Sequence, residues 1–259
     1  MKQLVQPFAQ VKRSTVVLLL AGQLALALLL WQQTATGIMP GPLPVLRALG
    51  GLLGSSVLWD QVLVSLVLTL KALGLSIAIT LLLGYGSLLP LFRGLAQFLV
   101  RCRYLTLTGL IFIFTLLTRD GGQLKLSLLI FGMVPFFVTS FLAVLEARNP
   151  QEYELCKTLG YSDWQALRET VLLGKADAVL EILRQNFAMA WLMITLVEGL
   201  SMSEGGIGTL LIKYNKYNDL PHVLAIQLVL FATGVGFDAG LGALRRWLFP
   251  YTRFKTSIK

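Results

Sequence analysis

Few side chains in this sequence can do chemistry, and most of them stand alone. There is one histidine, His222, and there are two cysteines, Cys102 and Cys156. A single histidine cannot build the clusters that hold zinc or haem, and no cofactor is expected in this chain. No GxxxxGK[ST] run is present to cradle nucleotide phosphates. Outside residues 146–184 the acids Glu198, Glu204, Asp219 and Asp238 read as isolated, so a lipid-metabolising enzyme lacks the clustered groups it needs. What remains are charges in apolar surroundings. Lys71 interrupts the run 61–89, where it either snorkels to the interface or faces a pathway for an anionic solute. Glu198 closes the run 179–200. It either caps or pairs with a neighbouring cation, or it braces a gate together with Gly205, Gly206 and Gly208, whose missing Cβ permits turns other residues resist. Trp191, in the same run, reads as packing first and as a pathway contact second. His222 follows Pro221 and reads as interfacial.

The elements that must position these groups are set by composition. Of 259 residues, 56% are hydrophobic and 14% charged, against about a quarter charged in soluble domains. Lipid is therefore much of this chain's solvent, and spans of roughly 20 residues predict about six transmembrane helices in one domain. The net charge of +9 fits basic loops beside anionic lipid rather than nucleic acid. The expected spans are 14–33, 61–89, 104–117, 124–145, 179–200 and 222–247. The first is read as a retained span, because the exit WQQTATGIMPGPLP offers no small-residue cleavage site. A short amphipathic helix lying on the membrane is expected within 44–59, from Val45, Leu46, Leu49, Leu52 and Leu53. A basic turn is expected around Arg93, Arg101 and Arg103. Basic residues gather in alternate loops, and the positive-inside rule places both termini in the cytoplasm. Cys102 and Cys156 then lie beside cytoplasmic segments as reduced thiols.

The loop 146–178 is the longest charged interruption. Asn149-Pro150-Gln151-Glu152 is a helix start, with Leu155, Cys156 and Leu159 on one side of that helix and Gly160 ending it. Ser162-Asp163-Trp164-Gln165 is a capping box opening a second helix, with Trp164, Leu167, Val171 and Leu172 on one face. A polar turn would join two spans equally well, so the pair reads as a rigid docking knob or as an amphipathic pair resting on lipid.

The run Glu154-Leu155-Cys156-Lys157-Thr158-Leu159-Gly160, followed by Leu172, resembles the signature of membrane subunits of ABC-type importers, Glu-Ala-Ala, three residues, Gly, nine residues, Ile, one residue, Leu-Pro. Glu154, Gly160 and Leu172 match it; Leu155, Cys156, Thr170 and Leu173 depart from it. MPGPLPVLRALGGLL, LGYSDWQALRETVL, AWLMITLVEGL, GGIGTLLI and the Arg245-Arg246-Trp247 ending follow the order of the nitrate/sulfonate/taurine branch. RCRYLTLTGLIF stands where relatives carry several prolines. The resemblance implies an all-α type I importer permease in a bacterial inner membrane, with cytoplasmic coupling helices between spans four and five. Glu154, Leu155, Cys156, Leu159, Gly160, Tyr161, Ser162, Trp164 and Leu167 would meet a partner ATPase dimer, which binds ATP and Mg. It also implies a second permease chain, identical or homologous, and an extracytoplasmic solute-binding protein. The solute would be a small anion such as nitrate, sulfonate, taurine or bicarbonate. A vitamin precursor carried by an atypical heterodimer half, and a channel or scaffold using the loop for a stable partner, are the competing expectations.

Overall fold

The computed structural model describes residues 13–34, 39–147, 150–167, 169–170, 174 and 176–250. Among them there are helices and no strands: α1 Arg13–Thr34, α2 Pro42–Leu53, α3 Ser56–Gly86, α4 Pro90–Arg101, α5 Leu107–Leu117, α6 Gly121–Glu146, α7 Pro150–Thr158, α8 Asp163–Leu167, α9 Ala176–Leu200, α10 Ile207–Lys216 and α11 Leu220–Leu248. Short polar caps punctuate the apolar runs. Ser55 accepts the Leu58 amide (3.4 Å) at the start of α3, and Asp120 accepts the Gln123 amide (2.6 Å) at the start of α6. Asp219 accepts the His222 amide (3.4 Å) at the start of α11. Each side chain satisfies an amide that the first helical turn leaves without a partner.

Five helices, α1, α3, α6, α9 and α11, are long and apolar enough to cross a membrane. α6 is central. It packs against α3 and α9, and α11 lies against α9 and α2. Leu128, Leu129, Met133, Phe137 and Phe141 of α6 meet Leu73 of α3 and Phe187 and Ile194 of α9 in one core. α3 approaches α6 so closely that a Cβ on Gly84 would come within 2.1 Å of the Phe141 ring. Helix directions define two ends of the bundle. The loop end holds the C-termini of α3 and α6 and the start of α9; the turn end holds the opposite termini and α10. α1 buries none of its apolar window, although Trp31 Nε1 donates to the Pro40 carbonyl (3.1 Å).

The third expected span, 104–117, differs. α4 and α5 meet at a bend of 115° through a 3₁₀ turn at Cys102–Tyr104. α5 has 11 residues, a rise of about 16 Å, against a hydrocarbon layer of about 30 Å. Counted as one bent element the pair makes a sixth span. The expected basic turn is a helix, α4, because Arg93, Gln97 and Arg101 recur every fourth residue and form one polar face. Leu91, Leu95 and Phe98 are exposed on another. α2 also departs from the surface helix expected in 44–59. Its face of Val45, Ala48 and Leu52 is buried, packed on α11, and only Leu46 and Leu53 of the expected face stay exposed among the larger side chains.

Candidate functional site

At the loop end α7 and α8 form a small protrusion. Gly160 adopts φ +82°, a left-handed conformation that β-carbon-bearing residues reach only with strain. There its amide donates to the Lys157 carbonyl (3.0 Å) and the next amide, Tyr161, donates to Cys156 (3.1 Å), closing the C-terminus of α7. The capping box forms reciprocally: the Ser162 amide donates to Gln165 Oε1 (2.9 Å) and the Gln165 amide to Ser162 Oγ (3.3 Å). A third tie crosses between the helices, where Tyr153 Oη and Lys157 Nζ both donate to Asp163 Oδ1 (2.9 and 2.8 Å). Leu155, Leu159, Tyr161 and Trp164 stay exposed, Leu155, Leu159 and Trp164 by 61, 66 and 69%. Cys156 is half-buried and Glu154 exposed. Asn149, Val171, Leu172 and Leu173, and the side chain of Leu167, lie outside the described residues.

The Asp163 tie is insensitive to physiological pH. The hydrogen bond from Lys157, then that from Tyr153, holds the Asp163 carboxyl below its ordinary range, and the same bond to Asp163 holds the Lys157 ammonium above its own. The acid's contribution is present above its unfolded pKa of about 3.9 and is lost as pH falls through the lower folded value. The lysine's contribution is present below its unfolded pKa of about 10.4 and is lost as pH rises through the higher folded value. Binding of a partner to the protrusion is therefore expected to be flat from about pH 5 to 9 as far as this tie is concerned. Isothermal titration across that range checks it, and a step that vanishes in Asp163→Asn would contradict it.

At the turn end, Glu198 and Lys125 are 0 and 1% exposed. Glu198 Oε1 accepts from Ser65 Oγ (2.7 Å), which itself accepts the Ile207 amide (2.8 Å); Glu198 Oε2 accepts the Gly208 amide (2.8 Å). Lys125 Nζ donates to the carbonyls of Ser203 and Gly205, and Gln61 Oε1 accepts the Gly206 amide. The acid and Ser65 thus hold the first amides of α10, while the lysine holds carbonyls of the α9–α10 connection. The glycines are required by geometry. Gly205 and Gly206 have φ +74° and +115°, and a Cβ on Gly206 would lie 2.2 Å from the Glu198 carboxyl. A Cβ on Gly208 would meet the Thr195 carbonyl oxygen at 2.6 Å. The acid expected either to cap or pair with a cation or to brace the glycine turn is the hub of this cluster. Asp238 and Asp219 are not isolated either. Asp238 makes a bidentate pair with Arg184 (2.8 and 3.1 Å), beside an Arg245–Glu181 pair that also ties α9 to α11, and Asp219 accepts from His222 Nδ1 (2.8 Å). The partners lie far away in sequence for Glu198 and Asp238, so inspection of neighbours could not find them. The signal available for Lys125 was its position early in an apolar run, where an intramembrane charge seeks a polar partner.

Lys71 is apart from this cluster. It lies at the midpoint of α3 on a face the chain leaves exposed. Trp191 is buried and donates from Nε1 to the Leu230 carbonyl (2.9 Å), tying α9 to α11. It lines an apolar cavity of about 440 Å³ with Phe187, Leu192, Phe231 and Val235.

These features define a class: a multi-pass helical membrane protein with a braced protrusion at one end and a locked, buried polar turn at the other. Residues 47–250 match the family described as binding-protein-dependent transport system inner membrane component, and the chain belongs to that family. A search of curated proteins returns no match. Members are transmembrane permeases rather than catalytic subunits, and they work with an ATPase and a substrate-binding protein.

Proposed function

We propose that this chain is the pathway-forming subunit of an ATP-driven importer for a small anion of the nitrate, sulfonate, taurine or bicarbonate type. The observation that carries the coupling half of this reading is the braced α7–α8 unit, with exposed Leu155, Leu159, Tyr161 and Trp164 at its surface. Large exposed apolar groups on a rigid support suit insertion into a cleft of a partner ATPase. ATP and Mg belong to that partner. The loop end then faces the cytoplasm of a bacterial cell, together with both termini, and the turn end faces the solute-binding protein. Copurification of the chain with the ATPase encoded beside it tests the partnership. Trp164→Ala should weaken association roughly tenfold or more, as loss of a hot-spot aromatic does, and unchanged association would remove the protrusion from the interface.

The anion reading is supported by Lys71. A lysine at the middle of a span costs about 2.5–3.5 kcal/mol when it faces lipid, so its exposed face belongs against a second permease chain, on the pathway between the two. Lys71→Ala is expected to lower anion uptake in proteoliposomes at least about tenfold, with Lys71→Arg keeping most of it. Unchanged uptake in Lys71→Ala would place the lysine outside the pathway.

A further inference from the structure

At the loop end a cavity of about 460 Å³ opens between the α3–α4 corner and the C-terminus of α6. Its polar wall carries Arg93, Gln97 and Glu146, with Ser87 at the corner, and its apolar wall carries Leu142 and Leu145. Arg93 and Glu146 carry opposite charges into one cavity, yet among the described residues neither has an ion-pair partner. The position fixes the depth. α3 has 31 residues and α6 has 26, which rise about 46 and 39 Å and carry their ends into the headgroup layer of a bilayer about 40–45 Å thick. The face of α4 bearing Leu91, Leu95 and Phe98 is exposed beside it, as in a helix lying along that layer.

Both signs of charge and an apolar wall restrict the occupant. A purely anionic headgroup would bring its charge against Glu146, and a cation would bring its charge against Arg93. A zwitterion with hydrocarbon attached satisfies both charges and the apolar wall. We propose that this cavity holds the headgroup of a zwitterionic aminophospholipid, its phosphate on the Arg93 guanidinium and its primary ammonium on the Glu146 carboxylate, with an acyl chain along Leu142 and Leu145. Arg is suited to the phosphate by its planar fork. A primary ammonium donates hydrogen bonds to Glu146, whereas the quaternary ammonium of a choline headgroup has no N–H to give.

The full chain, purified in detergent and exposed to equal amounts of phosphatidylethanolamine, phosphatidylcholine and phosphatidylglycerol, provides the test by native mass spectrometry. Phosphatidylethanolamine should be retained roughly tenfold over the other two, the scale of one hydrogen bond to a charged group. Glu146→Gln should bring its retention down to that of phosphatidylcholine, and Arg93→Gln should lower both. Both side chains are exposed, so the variants should melt as the unmodified chain does; should Arg93→Gln melt early, Arg93→Lys keeps the charge and should retain the preference. Equal or better retention of phosphatidylglycerol, or a preference that survives Glu146→Gln, overturns the proposal. Displacement of the lipid by tail-free glycerophosphoethanolamine at equal concentration overturns it too, in favour of a soluble zwitterion.

Discussion

Gly160→Pro is expected to leave the chain in the membrane at its normal level while lowering ATP-coupled transport on the order of a hundredfold, the equivalent of about 3 kcal/mol for a helix-breaking proline. The native φ of +82° is closed to proline, whose ring fixes φ near −65°. The substitution also removes the amide that donates to the Lys157 carbonyl, and it pushes Leu159 out of the helical region. The end of α7 would unwind, and with it the register that sets Lys157 against Asp163. The spans lie outside this change, because the ties that Gly160 adjoins, Tyr153 and Lys157 to Asp163 and Ser162 to Gln165, join residues within the protrusion. Gly160→Ala should fall between, since a left-handed residue with a Cβ costs about 1–2 kcal/mol. Reconstitution with the partner ATPase, measuring hydrolysis and solute uptake together, decides the matter. Full association and full coupling in Gly160→Pro would falsify the account of a rigid protrusion.

The second large effect is expected at the other end of the bundle. Glu198→Ala removes the acceptor of the Gly208 amide and of the Ser65 hydroxyl, and it takes from the buried Lys125 one of the two acids, Glu198 and Glu204, whose charges act on it. Breaking such a buried arrangement from one side costs about 3–5 kcal/mol. Unfolding in detergent should show that loss, and proteolysis should find the 201–206 connection newly accessible. Lys125→Met alone should cost a similar amount. The double variant Glu198→Met/Lys125→Met should cost clearly less than the two single losses combined, because no charge is then left alone in the interior. Additive losses would mean that the two side chains serve separate elements and not one locked turn.

How much of this was open to inspection of the sequence differs by element. The protrusion was readable because capping is local: Ser162 and Gln165 are three residues apart and Gly160 is adjacent, so their chemistry is contained in one window. The long apolar helices were readable for the same reason, from residue runs alone. The broken third span was not. Its 11-residue helix α5 lies inside the expected span 104–117, but the preceding α4 shows only in the every-fourth-residue spacing of Arg93, Gln97 and Arg101, which a count of charges reduces to a basic turn. The turn-end cluster was half legible. Glu198 with Gly205, Gly206 and Gly208 could be grouped by position, but Ser65 and Lys125 come from α3 and α6, 133 residues before Glu198 in the case of Ser65. Only packing brings them together. Lys71 was visible as an odd charge, and its midpoint position on an exposed face came from the helix boundaries.

The order of synthesis gives the Lys125 cluster a further meaning. A polypeptide made from its N-terminus completes α6 well before Ser203 and Gly205, whose carbonyls Lys125 later engages. Glu198 likewise appears only with the end of α9, and the Gly208 amide it accepts comes with the first turn of α10. A nascent or truncated chain that stops in the loop 146–178 therefore carries an ammonium in an apolar helix with none of its eventual partners. A chain that reaches α10 has buried it. Closure of the turn therefore waits on the synthesis of α9 and the first turn of α10, and only α11 among the described helices is added after it.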